Sequence, residues 1–307
     1  MLSRVVETLY WMARHIERAE NIARLINVNN NLLLDLPKNV TPGWEPLIDI
    51  IGARHAFLEQ HSEINERNAL KFLVADGRSP SSIINCISNA RENARTVRDI
   101  LPKEVWHAIN ALYLYTKENQ QQGINKRDRA AFMEYVIQRC QAIYGALHGT
   151  MIHDAGFAFV QLGLLVERAD MSSRIIDVRS QNLVDRQDPS FDNIQWISVL
   201  LSLSAYQMYR QECRIQVKRE DVLGFLLKNT KFPRSIGYCL DHTAKILATL
   251  PSPEKPTKAV KKAMKLINGA SLNTLKQQEL NAFIDDMQIE FANLHNSISR
   301  QYFLPVD

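Results

Sequence analysis

An internal repeat constrains the fold of this chain more than any other feature. The segment ERAENIARLINV at residues 17–28 recurs as ERADMSSRIIDV at residues 167–178. The segment LKFLVADGRSPSSIINCI at residues 70–87 recurs as VLGFLLKNTKFPRSIGYCL at residues 222–240. Matched residues are separated by 148 to 153 positions along the chain. Self-similarity at a nearly constant period predicts two copies of one structural unit.

The two copies are predicted to be all-helical and to span residues 1–150 and 151–307. Gly and Pro number only 11 each among 307 residues, which favours helices over strand-and-turn architectures. With 46% hydrophobic residues, the chain can bury a substantial core. The connections between helical segments are short, so we expect an all-α helical bundle with a pseudo-twofold axis between the repeats, packed as one globular unit.

Helix starts and stops repeat with the same period. Ser-Pro-Ser-Ser at residues 79–82 and Phe-Pro-Arg-Ser at residues 232–235 are start signals, because serine caps a helix and proline fits its first turn. Pro102 and Pro251 each follow a leucine near the end of the helix that these signals begin. Since the residue before proline is pushed out of the α region, the Leu-Pro pairs are predicted stops.

Charge and composition argue against a nucleic-acid-binding or membrane protein. The net charge is only +4, from 37 basic and 33 acidic residues, which is too small to attract nucleic acid by itself. The longest strongly apolar stretch, residues 196–206, is shorter than the ~20 residues that span a bilayer. The start of the chain lacks a secretory signal pattern, so we predict a cytoplasmic protein. Four cysteines are expected to be reduced and buried within helices, namely Cys86, Cys140, Cys213 and Cys239.

The repeated Glu-Arg segment carries the strongest signal for a site. On a helical wheel, the first copy has an apolar face and, opposite it, polar side chains at three- and four-residue spacing. This polar stack contains Tyr10, Arg14, Glu17, Asn21 and Arg24. In the second copy, Glu167 and Arg174 are surrounded by apolar residues. A helix that is apolar nearly all round is central, so these charges should be buried and paired.

Three interpretations of these helices are open. Their polar faces could meet near the pseudo-axis as buried ion pairs that set helix register, with Glu17 opposite Arg174, and Glu167 opposite Arg24 or the pair Arg18 and Arg168. They could instead line a pocket for a carboxylate-bearing or zwitterionic ligand, which such groups bind bidentately. They could also form a plain solvated face. The candidate ligand-binding residues are Arg14, Glu17, Arg18, Asn21, Arg24, Glu167, Arg168, Asp170 and Arg174.

A second polar segment occurs in the first copy alone. Arg91, Arg95 and Arg98 recur at helical spacing and line one stripe, flanked by Glu92 and Asn93. The matching part of the second copy has no such stripe. This asymmetry favours the first copy as the place of an anionic ligand or a charged partner surface, and a solvated basic face is the plainer interpretation. The candidate binding residues here are Arg91, Glu92, Asn93 and Arg95.

The opening MLSRVVETLYWMARHIERAENIARLINV, the segment SPSSI followed by ARENARTVRDILP, and the later LLVERADMSSRIIDV are similar to the alpha-E family. Glu17, Arg18, Glu167 and Arg168 match the Glu-Arg motif for which that family is named. The resemblance covers essentially the whole chain and implies an all-helical fold. It also implies partners, because family members are typically encoded beside a circularly permuted ATP-grasp protein and a transglutaminase-like protein. It implies no catalytic residue.

Two functional hypotheses follow. The first is a non-catalytic, accessory helical partner of an ATP-grasp-type ligase in ATP-dependent amide-bond formation or peptide modification, with a Glu/Arg-lined central site. The second is a stand-alone enzyme in which Glu17 or Glu167, its pKa raised by burial, acts as general acid or base on a carboxylate-bearing amino acid or peptide. Nucleic-acid binding by the Arg91 stripe is less favoured, given the near-balanced charge. The sequence leaves open whether the chain forms a homo-oligomer.

The remaining motifs predict no cofactor and no metal. The sequence contains no GxSxG motif and no glycine-rich phosphate loop. His148, His153 and Asp154 lack a clustered further ligand, so they are not a metal signature. Five lysines between residues 255 and 265 most simply form a solvated face, with a membrane-surface or acidic-partner role as the other interpretation.

Overall fold

The computed structural model describes residues 3–35, 43–181, 189–213, 216–272 and 274–303. Within these residues every regular element is helical and no β-strand occurs. The prediction of an all-helical fold is therefore confirmed.

Fourteen helices form in the described residues. The first seven are α1 (Ser3–Asp35), α2 (Glu45–Ile50), α3 (Arg54–Leu58), α4 (Glu66–Val74), α5 (Ile83–Thr96), α6 (Lys103–Ile124) and α7 (Arg129–Thr150). The next seven are α8 (Ala155–Gln181), α9 (Pro189–Ser202), α10 (Tyr206–Glu212), α11 (Arg219–Lys228), α12 (Ile236–Leu247), α13 (Glu254–Gly269) and α14 (Gln277–Tyr302).

The chain divides into two compact units. The first unit is Thr8–Val160, and the second unit is Gln161–Asp307 together with Met1–Glu7. The unit boundaries fall inside the two long helices α1 and α8, which carry the Glu-Arg motifs. The division at residue 150 concerns the sequence repeat and stays a prediction.

Helices pack in a corresponding order within the two units. In the first unit, α2 contacts α3 and α4, α4 contacts α5 and α6, and α6 contacts α5 and α7. In the second unit, α9 contacts α10 and α11, α11 contacts α12 and α13, and α13 contacts α12 and α14. Each of these contacts in the first unit has a counterpart seven helices later.

Both serine start signals cap a helix. Ser82 Oγ accepts a hydrogen bond from Asn85 N at 3.3 Å at the start of α5. Ser235 Oγ accepts one from Tyr238 N at 3.1 Å at the start of α12. A side-chain acceptor at this position satisfies a backbone N–H that has no partner within the helix. The prediction of these two helix starts is confirmed.

The predicted helix stops are wrong by about one turn. α5 ends at Thr96 and α12 ends at Leu247, before Pro102 and Pro251 are reached. A short turn follows each helix, and Pro102 instead occupies the cap position that precedes α6. Proline prevents a helix from continuing through it, but it does not fix how many residues earlier the helix ends.

Alanine at either capping serine is expected to lower the free energy of unfolding by about 1 kcal/mol. Ser235→Ala should cost more than Ser82→Ala, because the Ser235 hydroxyl also reaches the carbonyl oxygens of Asn229 and Phe232. Urea unfolding followed by circular dichroism measures both. Ser88→Ala, inside α5, is the control and should change little; an equal loss at Ser88 would contradict the capping role.

The four cysteines all lie in the described residues, where none forms a disulfide, and they differ in burial. Cys86, Cys140 and Cys239 are fully buried. Cys213 is half-buried and follows the last residue of α10. The prediction of a buried helical thiol is therefore wrong for Cys213, because α10 is short and ends at Glu212.

Candidate functional site

The first Glu-Arg motif lies in the middle of α1, and its carboxylate is buried. Glu17 has 0% exposure, and Asn21, one turn later, donates a hydrogen bond from Nδ2 to Glu17 Oε1 at 3.2 Å. Asn21 is buried as well. A buried carboxylate is tolerated when neighbouring groups donate hydrogen bonds to it. The solvated-face interpretation is therefore wrong for Glu17.

A second acid in each motif pairs with the arginine one turn later. Arg24 donates to Glu20 Oε1 from Nη2 at 2.6 Å and from Nε at 3.0 Å. Arg174 Nε lies 3.1 Å from both carboxylate oxygens of Asp170. Glu20 is buried, whereas Asp170 and Arg174 are half-buried. Both arginines thus have an acid on their own helix, and their expected pairing with the motif glutamate of the other copy stays a prediction.

Glu20 belongs to the buried polar group of α1 but was not selected from the sequence. A signal for it exists, because the acid three positions after the motif glutamate recurs in the second copy as Asp170. The pattern of side chains on one helix did not separate Glu20 from an ordinary surface acid. Its burial depends on tertiary packing, since α7 of the first unit lies beside this part of α1.

Helix α7 lies close to the polar face of α1 within the first unit. Burial raises the pKa of the Cys140 thiol well above its usual range, and the charges of Glu20 and Glu17 raise it further. Tyr144, one turn later on α7, donates from its hydroxyl to Ala13 O at 2.9 Å. A thiol with a raised pKa stays protonated near neutral pH and is a poor nucleophile. Cys140 is therefore a packing residue beside the acidic group.

Arg14 adds an aromatic contact to the first motif. It is mostly buried, and its guanidinium carbon lies 5.0 Å from the centre of the Trp11 ring and 5.7 Å from that of Tyr10. Its Nη1 also lies 3.4 Å from the Tyr10 hydroxyl. Arg18, the motif arginine, is half-buried. The position that matches Arg14 in the second copy is Leu164, so this cation–π arrangement belongs to the first motif.

The second motif joins α8 to the turn that begins α12. Glu167 has 0% exposure, so the solvated-face interpretation is wrong here too. Arg168, half-buried, places Nη1 3.4 Å from Pro233 O. Ser172 donates from its hydroxyl to Arg234 O at 3.0 Å. The motif helix thus holds the Phe-Pro-Arg-Ser turn whose serine caps α12.

The arginine segment of the first copy forms a mixed charged and aromatic surface on α5 and α6. Arg91 donates from Nε to Asn110 Oδ1 at 2.8 Å, and its guanidinium lies 4.7 Å from the centre of the Tyr113 ring. The Trp106 ring lies 5.8 Å from the Arg91 guanidinium and 5.4 Å from that of Arg98. We call this group the Arg–Trp surface, defined by Arg91, Arg95, Arg98, Trp106 and Tyr113.

Glu92 neutralises part of this surface. It lies between two arginines, 2.8 Å from Arg91 Nη1 and 2.8 Å from Arg95 Nη2. Arg95 remains 64% exposed in its side chain, and Arg98 is also exposed. Asn93 is half-buried on the same helix. Exposed ion pairs of this kind contribute little stability, whereas the contacts of Arg91 with Asn110 and Tyr113 join α5 to α6.

The candidate residues form two separate sets. Among the described residues, the side chains of Arg91, Glu92 and Arg95 make polar contacts only with one another and with α6. The motif residues on α1 are instead buried on a different helix. The two polar segments that the sequence distinguished are therefore also separate in the structure, one largely buried and one at the surface.

A buried arginine that the sequence analysis missed links three parts of the first unit. Arg129, at the start of α7, is 2% exposed and donates to Glu66 Oε1 at 2.7 Å, Asn30 Oδ1 at 2.9 Å and Ile124 O at 3.1 Å. Its guanidinium also lies 5.4 Å from the centre of the Trp44 ring. The sequence around it, NKRDR, reads as a solvated connection, so no local signal identifies it.

No metal site is found in the described residues. They contain no group of three or more His, Cys, Asp or Glu side chains arranged to hold an ion. Asp154 instead accepts from Gly156 N at 2.8 Å at the start of α8, and the His153 ring stacks on Phe157 at 3.9 Å. Within the same residues, no helix is long and apolar enough to cross a bilayer.

Comparison with known proteins places these features in a family. The Alpha-E model, described as a predicted alpha-helical domain with a conserved ER motif, matches residues 1–303. An uncharacterised protein of Mycobacterium bovis and two of Mycobacterium tuberculosis are each 21% identical over 266 residues. The match covers 81% of this chain and 30% of each relative, so the chain spans less than a third of their length. No solved structure matches.

Proposed function

We propose, since the chain belongs to the alpha-E family, that it is a non-catalytic helical partner of an ATP-grasp-type ligase in ATP-dependent amide-bond formation or peptide modification. It docks through the Arg–Trp surface. That surface is the observation that carries the proposal. A transglutaminase-like protein is a further partner of the same system, and the location is cytoplasmic.

The composition of the Arg–Trp surface favours protein binding over a solvated basic face. Arginine, tryptophan and tyrosine are the residues enriched at the energetic centres of protein interfaces. Here Trp106 and Tyr113 are half-buried, and their rings lie against guanidinium groups that remain accessible. Rigid aromatic rings and pre-positioned guanidiniums lose little conformational entropy on binding.

The partnership with an ATP-grasp-type protein is what the family resemblance implies. The proposal assigns the ATP chemistry to the partner and a docking role to this chain.

Reversing the charge of the Arg–Trp surface is expected to disrupt the complex. An ATP-grasp-type protein of the kind that the family resemblance implies as a partner would be co-purified with this chain, and the dissociation constant measured with and without ATP. The double variant Arg95→Glu/Arg98→Glu should weaken binding by about tenfold or more, the effect of a central interface residue. Both side chains are exposed, so the fold should persist.

The matched control reverses the charge of two exposed lysines on α13, in the double variant Lys258→Glu/Lys261→Glu. It makes the same change of net charge away from the Arg–Trp surface and should alter binding less than twofold. Failure of the two proteins to associate in any nucleotide state would overturn the proposal. If both double variants weakened binding equally, the effect would come from net charge alone. That result would overturn the assignment of the docking site to the Arg–Trp surface.

A stand-alone enzyme is the second candidate, favoured by the complete burial of Glu17 and Glu167. In that case either carboxylate would act as general acid or base on a carboxylate-bearing substrate. Glu17→Gln and Glu167→Gln retain shape and remove the charge. If either variant stays folded and binds the partner but abolishes the reconstituted ligase reaction, the enzymatic hypothesis gains over the accessory one.

We also infer that residues 1–150 and 151–307 are two copies of one seven-helix repeat. The corresponding order of helix contacts supports this inference. So do the capping serines and two thiol contacts, with Cys86 Sγ 3.8 Å from Pro80 O and Cys239 Sγ 3.6 Å from Pro233 O. An experimental structure in which residues 70–87 and 222–240 fail to superpose would contradict it.

A further inference from the structure

The second unit contains a groove between the last turns of α13 and the first half of α14. Its volume is about 790 Å³, within the range of sites that bind small ligands. Both walls belong to the second unit, so the groove is independent of the proposed partnership. Its principal lining side chains are Lys265, Leu266, Leu275, Phe283, Asp286 and Ile289.

The floor of the groove is apolar and partly open to water. Ile289 is 57% exposed, and Leu266 and Leu275 are half-buried. Phe283 lies at the bottom and is mostly buried. Covering such side chains with an apolar group removes their surface from water and stabilises a complex by about 25 cal/mol per Å².

Two exposed charges of opposite sign flank this floor. In the described part of the chain, neither Lys265 on α13 nor Asp286 on α14 forms an ion pair. Lys262, by contrast, donates to Glu290 Oε1 at 2.7 Å. The groove therefore offers one cation and one anion that no described side chain occupies.

Glu290 also lines the groove. It is 8% exposed, and its Oε1 accepts from Lys262 and, at 3.3 Å, from Asn293 Nδ2. Its Oε2 is buried and has no hydrogen-bond partner in the described residues. Because buried carboxylate oxygens almost always have a donor, this oxygen is an exception, and it is closed to water.

We infer that the groove binds a short peptide with apolar side chains. The side chains cover the Leu266, Phe283 and Ile289 floor. The peptide's ammonium group faces Asp286, and its carboxylate faces Lys265. Only a ligand with an apolar body and charges of both signs complements all of these groups together.

Titration of the full-length chain with trileucine carrying free termini tests the inference by calorimetry or NMR shift perturbation. Saturable binding is expected. Lys265→Ala and Asp286→Asn should each weaken it by about three- to fivefold, the effect of one exposed charge pair. Ile289→Ser should weaken it by about tenfold through lost apolar contact.

Matched controls come from neighbouring exposed residues that do not line the groove. Lys261→Ala on α13 and Asp285→Asn on α14 should leave the affinity unchanged. N-acetylated trileucine should bind more weakly and lose its sensitivity to Asp286→Asn. C-amidated trileucine should likewise lose its sensitivity to Lys265→Ala.

Three results would overturn the inference. The first is no saturable binding. The second is equal affinity for the free, acetylated and amidated peptides, which would reduce the groove to a non-specific apolar surface. The third is concentration-dependent dimerisation of the chain that Ile289→Ser abolishes and trileucine does not compete with, because the occupant would then be a second copy.

Discussion

Glu66→Gln is expected to lower the free energy of unfolding by about 2–3 kcal/mol, although Glu66 is 44% exposed. The substitution leaves the 2% exposed guanidinium of Arg129 without its charged partner. Breaking a buried pair from one side costs about 3–5 kcal/mol, because the remaining charge stays uncompensated. The exposure of Glu66 reduces that figure. Urea unfolding followed by circular dichroism measures the loss.

Removing the buried cation instead should lower the free energy of unfolding by a smaller amount than Glu66→Gln does. Arg129→Met fills similar volume, and Glu66 can then be hydrated, so the charge left behind is not trapped. The double variant Glu66→Gln/Arg129→Met should be about as stable as Arg129→Met alone. In a double-mutant cycle, such non-additive effects indicate a strong coupling between the two residues. Glu63→Gln, at an exposed residue in the connection just before α4, is the control. Additive effects of the two substitutions would contradict the buried pair.

Gly237→Ala is expected to destabilise the second unit by about 2–3 kcal/mol. A Cβ at this position would lie 2.9 Å from the backbone carbonyl group of Lys228 and 2.9 Å from Asn229 O. Backbone atoms cannot move aside as the end of a flexible side chain can. The start of α12 would have to separate from the end of α11, and the unfolding midpoint in urea should fall accordingly.

Gly145→Ala gives the matched comparison with the opposite sign. Gly145 lies inside α7 with nothing within 4 Å of an added Cβ. Alanine there should stabilise the helix by about 0.5–1 kcal/mol, because glycine loses more backbone entropy on folding. A loss of stability at both positions would show that the close backbone approach at Gly237 is not the cause.

Features with a local physical origin were predictable from the sequence. Ser82 and Ser235 cap helices because a serine hydroxyl reaches a backbone N–H three residues later in any context. The burial of Glu167 followed from apolar residues on all sides of its helix. The all-helical fold followed from composition and periodicity together.

Features that depend on distant contacts were not predictable. Arg129 bonds to groups 63 and 99 positions away along the chain, and a charged residue beside Asp128 and Arg127 reads as solvated. The close approach at Gly237 was also not predicted, because the matching position of the first copy is Ile84 and the repeat therefore gives no sign that a side chain is excluded there. In the candidate site, helical spacing selected Glu17 and Arg24 but could not show that Glu20 would be the acid that pairs with Arg24.

Because the four thiols differ in burial, labelling of the native cysteines can report the unfolding of the chain. A maleimide dye can reach Cys213, which is half-buried, whereas the other three sulfurs are enclosed. Burial also raises the pKa of Cys213, so mildly alkaline buffer speeds the labelling. The label count rises from one towards four as the chain opens. The stability of the Glu66 and Gly237 variants can thus be followed by mass spectrometry without an engineered cysteine.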